Sequence, residues 1–209
     1  IDTVGPIADS MEHIEVAYRA MSGDDRRATI GQLRIGVPQP WFDDSPTSND
    51  VSAAFQSALE ALRDSGHSVE PLMMPEVWPT RRITHAVARE VTEIHRDYRA
   101  KGQPYGDDVA ARLEEVAQVS ESQQREALTW QQDLRDRFAE VFTGVDLLVT
   151  PTVPVRAKVI GVDEIDGKHH RSVLSYFTAL VNHSLHPALA IPLARSGEPP
   201  ASIQVIGDR

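Results

Sequence analysis

The sequence predicts an α/β fold, a mixed and largely buried β-sheet flanked by helices. Three observations lead there. Residues 33–38, 51–62 and 67–72 read in succession as strand, amphipathic helix and strand, the lengths of a βαβ unit. Residues 144–152 set the apolar Leu147-Leu148-Val149 after a turn, as a strand buried on both faces requires. Residues 188–192 and 203–207 add two short β-like runs.

Taken in order, the chain opens with turn chemistry at Val4-Gly5-Pro6-Ile7, because Gly accepts positive φ and Pro fixes φ. Asp9 or Ser10 can cap a helix whose apolar positions are Met11, Ile14, Ala17/Tyr18 and Met21, and Gly23 suits its end. Asp24-Asp25-Arg26-Arg27 reads as an exposed connection. Leu33-Arg34-Ile35-Gly36-Val37-Pro38 is a β-like run closed by proline. Thr47, Ser48 or Asn49 can cap the next helix, with Asp50 at the positive end of its dipole. Its apolar positions Val51, Ala54/Phe55, Ala58/Leu59 and Leu62 keep helical spacing up to a stop at Gly66. From about Thr80 to Phe142 the pattern is helical, with one stripe at Ile83, Ala86/Val87, Glu90/Val91, Ile94 and Tyr98. Val109, Leu113 and Val116 mark a second helix, and Leu128, Leu134, Phe138 and Phe142 a third whose charges form a solvated face. After the strand and its Thr-Pro-Thr corner comes a polar loop around Asp163-Glu164-Ile165-Asp166-Gly167-Lys168. No internal repeat divides the chain, so residues 1–209 are expected to form a single α/β domain.

Composition excludes several functions. With 41% hydrophobic and 25% charged residues, the 209-residue chain has the make-up of a globular protein with a sizeable core. There is no apolar run long enough to span a bilayer. Lys and Arg total 21 against 31 Asp and Glu, a net charge of −10 that repels phosphate backbones and anionic lipid. Arg26-Arg27 and Arg81-Arg82 are isolated basic pairs of the kind that surfaces carry, so neither nucleic acid nor a membrane is an expected partner. The absence of cysteine removes disulfides, thiolate metal sites and a Cys nucleophile, and fits a reducing, cytoplasmic compartment. The chain opens Ile1-Asp2-Thr3 without an initiator Met, which suggests a processed chain or a fragment of a longer one.

Taken alone, the residues declare no chemistry. His183-Ser184-Leu185-His186 invites a Ser–His reading, but a hydroxyl nucleophile needs its base across a hydrogen bond and a third group orienting that base. No G-x-S-x-G elbow is present, and a structural serine is the better account. The histidines lack an H-E-x-x-H frame, so no metal is expected. Asp43-Asp44 and Asp107-Asp108 fall in polar turns, weak positions for acid–base work. The 12 glycines are scattered and build neither a G-x-x-x-x-G-K-[ST] nor a G-x-G-x-x-G phosphate-binding motif, and no cofactor is implied.

Several segments, in order, do resemble a family. Asp2-Thr3-Val4-Gly5-Pro6-Ile7-Ala8 with a helix behind it resembles the stretch after the catalytic signature of amidase-signature enzymes. Leu33-Arg34-Ile35-Gly36-Val37-Pro38 and the helix ending at Gly66 continue the match. Asp146-Leu147-Leu148-Val149-Thr150-Pro151-Thr152-Val153-Pro154 is similar to the family's strand and Thr-Pro-Thr corner. Phe177-Thr178, Asn182, Pro187-Ala188, Ile191-Pro192 and Ser202-Ile203-Gln204-Val205-Ile206-Gly207 match its C-terminal blocks.

The resemblance implies a hydrolase of carboxylic amides, using a Ser nucleophile, a bridging cis-Ser and a Lys base, with backbone N–H groups stabilising the oxyanion. In the family those three residues precede the block that begins here at Asp2, and the lysines of this chain, Lys101, Lys158 and Lys168, match no family motif. Leu185 stands where the family usually has Gly, and Ser175 where it often has Asp. The expectation is therefore the C-terminal portion of an amidase-type domain, inactive alone, with no catalytic residue of its own. Thr150, Pro151, Thr152, Phe177, Thr178 and Asn182 are the expected substrate-pocket residues, since sites gather at strand ends in open α/β sheets. Its expected partners are a small-molecule amide, the missing N-terminal segment and, by self-association, its own copies. Without that segment, Leu148, Ile191 and Val205 are expected to face uncovered surface. Two alternatives stand beside this: a non-catalytic module completing another chain's sheet, and an amidotransferase subunit fragment.

Overall fold

The computed structural model describes residues 4–24, 31–74, 80–165, 167–193 and 199–209, and of Thr80 and Arg81 only the backbone. The Asp2-Thr3 part of the first family block, the Arg26-Arg27 pair, the Arg81 side chain and Asp166 lie outside the described residues.

Local chemistry sets the element boundaries. Helix α1 (Met11–Ser22) starts where the Ser10 hydroxyl accepts from the His13 N–H, and stops at Gly23, whose φ of 69° only glycine adopts freely. Strand β1 (Arg34–Gln39), helix α2 (Asn49–Asp64) and strand β2 (Ser68–Met73) form the expected βαβ unit. β1 runs one residue past Pro38; its ladder with the neighbouring strand β3 covers only Ile35 and Gly36, so the missing N–H of Pro38 costs no bond there. Helices α3 (Thr80–Ala100), α4 (Asp107–Ala117) and α5 (Glu121–Val141) follow, the last opened by a capping box between Ser120 and Gln123. Then come β3 (Leu147–Pro151), a small hairpin of β4 (Glu164–Ile165) and β5 (Lys168–His169), helices α6 (His170–Leu174) and α7 (Thr178–Ser184), and strands β6 (Ala188–Leu193) and β7 (Ala201–Gly207).

The main sheet has five strands in the order β2-β1-β3-β7-β6. β1 is parallel to β2 and β3, while β7 is antiparallel to both β3 and β6. The four strands read most directly from the sequence share this one sheet. Asp146, just before β3, accepts from the Arg34 N–H at 2.7 Å and pairs with its guanidinium at 2.8 Å, pinning β3 to β1. That partner holds the Asp146 carboxyl below the usual carboxylate range.

Alternation divides the side chains between two layers. On one face Ile35, Val37, Val69, Val149 and Ile203 meet Phe55 and Leu59 of α2. On the other, Leu148 and Ile206 lie under Leu134 and Phe138 of α5, Leu180 and Val181 of α7, and the rings of Trp41 and Phe177. Gly36 faces this second layer. A Cβ there would stand 3.0 Å from the side chains of both Leu148 and Leu72, so a larger residue requires those two leucines to give by a few tenths of an ångström.

Four expectations change. Leu148 is fully buried beneath the α5–α7 layer, and Ile191 and Val205 are half-buried in the α2 layer, so these three do not share one uncovered face. α1 forms as expected but buries none of its residues, and Met11, Tyr18 and Met21 are about half exposed. In α3 the small Ala86 and Ala88 are the buried positions where it packs on α5, leaving Ile94 and Tyr98 exposed. In α5 the buried line is Ala127, Gln131, Leu134 and Phe138; Leu128, one step around the helix, lies outside it.

Leu185 closes α7 in the left-handed region, at φ 62°, where its Cβ crowds the backbone. The side chain is partly exposed, so little burial is lost on removing it. Leu185→Gly is expected to stabilise the fold by about 0.5–1 kcal/mol, the relief of strain less the extra freedom of an unfolded glycine. Urea denaturation at neutral pH measures it; a lower midpoint in the variant contradicts the strain reading.

Candidate functional site

The parallel strands β1, β2 and β3 end on the same edge of the sheet, at Gln39, Met73 and Pro151. Such an edge is where ligands bind in open α/β folds. Past β3 the chain turns through Thr152, whose N–H donates to the Ser202 carbonyl at 2.9 Å and ties the corner to β7.

Thr150 is fully buried and stands opposite Gln204 in the β3–β7 register. Its hydroxyl donates to the Pro151 carbonyl at 2.9 Å and accepts from the Gln204 amide at 3.3 Å. The same Gln204 nitrogen reaches the Phe177 carbonyl at 3.5 Å. Gln204 thus joins Thr150 to Phe177, two of the six residues singled out from sequence. Phe177 itself is fully buried, its ring 5.8 Å from Trp41 and 5.0 Å from Tyr176. Pro151 is buried too. Thr152 differs from these: its hydroxyl oxygen is buried and has no hydrogen-bond partner among the described residues. An unpaired buried hydroxyl is costly unless something supplies the bond.

Thr178 opens α7 and is half-buried; Asn182, four residues on, lies on the same helix face and is exposed. Leu180, Val181 and Ser184 point the opposite way, into the core. Among the described residues no hydrogen bond joins Thr178 or Asn182 to the Thr150–Thr152 corner. The structure therefore groups Thr150, Pro151 and Phe177 as a buried, hydrogen-bonded frame, with Thr152 beside it and Thr178 and Asn182 on a separate helix face.

The histidine–serine run has no catalytic geometry. Ser184 donates to the Val181 carbonyl at 3.0 Å, as a serine folded back on its own helix does. His183 is buried and its Nδ1 lies 2.8 Å from the Gln131 amide nitrogen, while its ring faces Trp130 at 5.7 Å. Burial, aided by the Arg135 guanidinium, pushes its pKa down to about 4. His186 is buried against Phe138 and Phe142 with neither ring nitrogen hydrogen-bonded among the described residues, and burial lowers its pKa as well. The Lys158 ammonium donates to the Val162 carbonyl at 2.7 Å, and among the described residues no lysine is hydrogen-bonded to a serine. No group of three His, Asp or Glu side chains converges among them, and none of their helices is long and apolar enough to cross a membrane.

Gln204 is the residue that sequence reading passed over. Its signal was a lone amide inside the apolar run Ile203-Gln204-Val205-Ile206, where a buried polar group demands a partner.

Comparison with known proteins agrees along the whole length. A family model described as Amidase matches residues 1–209. The glutamyl-tRNA(Gln) amidotransferase subunit of Neisseria meningitidis serogroup C (strain 053442) is 25% identical, over 99% of this chain and 52% of that protein. The AtzE component of 1-carboxybiuret hydrolase from Pseudomonas sp. (strain ADP) is 28% identical, over 92% of this chain and 46% of that protein. A crystal structure of an amidase superposes with a TM-score of 0.88 at 24% identity, covering 98% of this chain and 48% of the other. The chain spans about half the length of the curated relatives it matches.

Proposed function

The chain belongs to the amidase family, and from that premise we propose that it is the C-terminal portion of an amidase-type domain that hydrolyses amide C–N bonds. In this reading the chain supplies the sheet and part of the substrate pocket, while the serine nucleophile and lysine base come from polypeptide it does not include. The observation that carries it is a family match over residues 1–209 by a chain that spans about half the length of its curated relatives, with a strand-end frame built of buried Thr150 and Phe177.

Thr152, Thr178 and Asn182 are the pocket contacts this reading favours, because among the described residues their side-chain polar groups make no hydrogen bond; Thr150, Pro151 and Phe177 hold the wall behind them. In this reading the complementary segment adds to the sheet at β6. Among the described residues that strand is the last of the sheet and pairs only with β7, and an unpaired edge is a template for another strand. The exposed apolar residues of α1 offer it a second contact. A small amide as substrate, a cytoplasmic setting consistent with the lack of cysteine, and self-association through the same edge when the segment is absent belong to this proposal. The β6 edge equally suits a module completing another chain's sheet, and the Neisseria relative keeps the amidotransferase reading in view.

The test is direct. Purified alone, the 209-residue chain is expected to hydrolyse an aryl amide no faster than buffer, because pocket walls without nucleophile and base give little rate. Co-expressed with the preceding half of an amidase relative, it is expected to form a complex with serine-dependent turnover. Turnover by the isolated chain, abolished by a serine-directed reagent, contradicts the proposal. A complex that forms without turnover favours the module reading.

A further inference from the structure

The described residues enclose a cleft of about 650 Å³ between α3, the end of α4 and the start of α5, built by none of the residues discussed above as a substrate site. Its composition is unusual for a chain of net charge −10. Three guanidinium groups, Arg89 and Arg96 from α3 and Arg125 from α5, line it against two carboxylates, Glu93 and Glu121. Its apolar part comes from Ala88 and Val116, both buried, and from Leu128, whose side chain is left partly exposed.

The carboxylates do not saturate the arginines. Arg89 pairs with Glu93 at 2.8 Å and Arg125 with Glu121 at 3.5 Å, each one helical turn apart and each with both side chains about half exposed or more. Exposed pairs of this kind contribute little and yield readily to a better acceptor. Arg96, between them, forms no ion pair among the described residues. It also lines a smaller adjoining cleft of about 240 Å³ with Arg99, so the two clefts together set four arginines against two carboxylates.

We propose that this cleft binds a small amphipathic carboxylate, an aryl- or alkyl-substituted acid whose carboxylate meets Arg96 and one flanking arginine while its apolar part covers Ala88, Val116 and Leu128. Guanidinium groups offer the fork of donors that a carboxylate accepts, and the exposed Leu128 gives the tail surface to cover. The site is independent of the amidase reading, since no residue of the sheet or of α7 takes part.

The test uses the whole chain and calorimetric titration at low salt with phenylacetate, its uncharged isostere phenylacetamide, and inorganic phosphate. Phenylacetate is expected to bind in the millimolar range or tighter, at least tenfold better than either comparator. Arg96→Gln is expected to weaken it about tenfold, and Leu128→Ser severalfold. Both are surface positions, so a matching thermal melt confirms that the variants fold. Equal binding of phosphate and phenylacetate shows a mere basic patch and overturns the proposal. So does phenylacetate binding that Arg96→Gln leaves unchanged, or no binding at all.

Discussion

Phe177→Ala is expected to lower the unfolding free energy by about 3–5 kcal/mol, the cost of emptying a large buried aromatic site. The ring is fully buried, wedged between Trp41 and Tyr176 under the α7 layer. Its neighbours are themselves large and rigid, so the hole closes poorly and the loss belongs at the upper end. Thr178→Ala, one residue away but half-buried, is expected to cost under about 1 kcal/mol. Urea denaturation followed by tryptophan fluorescence measures both. The contrast separates two roles that sequence reading assigned alike to neighbouring residues: a loss below about 1 kcal/mol for Phe177→Ala would put that ring in an open pocket wall rather than behind it.

What was legible in the sequence was local. Val51, Phe55 and Leu59 declare a buried helix face by spacing alone, and Leu147-Leu148-Val149 declares a strand buried on both sides, because each pattern lies within one element. Ser10 and Gly23 likewise bracket α1 through bonds to residues within one turn. The partnerships that organise the candidate site are not local. Gln204 meets Thr150 only through the antiparallel register of β7 on β3, 54 residues apart in sequence. His183 meets Gln131 only because α7 packs on α5, 52 residues apart. The same limit explains α1: its apolar stripe shows that a helix forms, but not whether anything in this chain covers it. A stripe is evidence of periodicity; burial is decided by a partner.

Acidification is expected to remove about 3 kcal/mol of stability between pH 6.5 and pH 4 through His183 alone. In the folded chain its pKa is pushed down to about 4, first by burial and then by the nearby Arg135 guanidinium, whereas the unfolded side chain titrates near 6.5. Above pH 6.5 the ring is neutral in both states and the site contributes in full. As pH falls, the unfolded chain takes up the proton first, so stability declines until the folded ring also titrates. The structure gives the reason for the folded preference. With the Gln131 amide nitrogen donating at 2.8 Å, Nδ1 must accept, and protonating it sets donor against donor unless the amide turns over. His186, also lowered by burial, adds to the loss in the same direction. Asp50, held down to about 2 by the Ser48 hydroxyl and Arg156, acts only at more acid pH and leaves this window clear. Urea unfolding of the parent chain and of His183→Gln, at pH 7.5 and at pH 4.5, isolates the effect. The variant starts less stable at pH 7.5 through lost packing, yet its further loss on acidification should be smaller by about 2–3 kcal/mol. An acid loss of the same size in both proteins, or an imidazole of His183 that titrates near 6.5 by NMR in the folded chain, would show that the buried ring exchanges its proton as freely as in water.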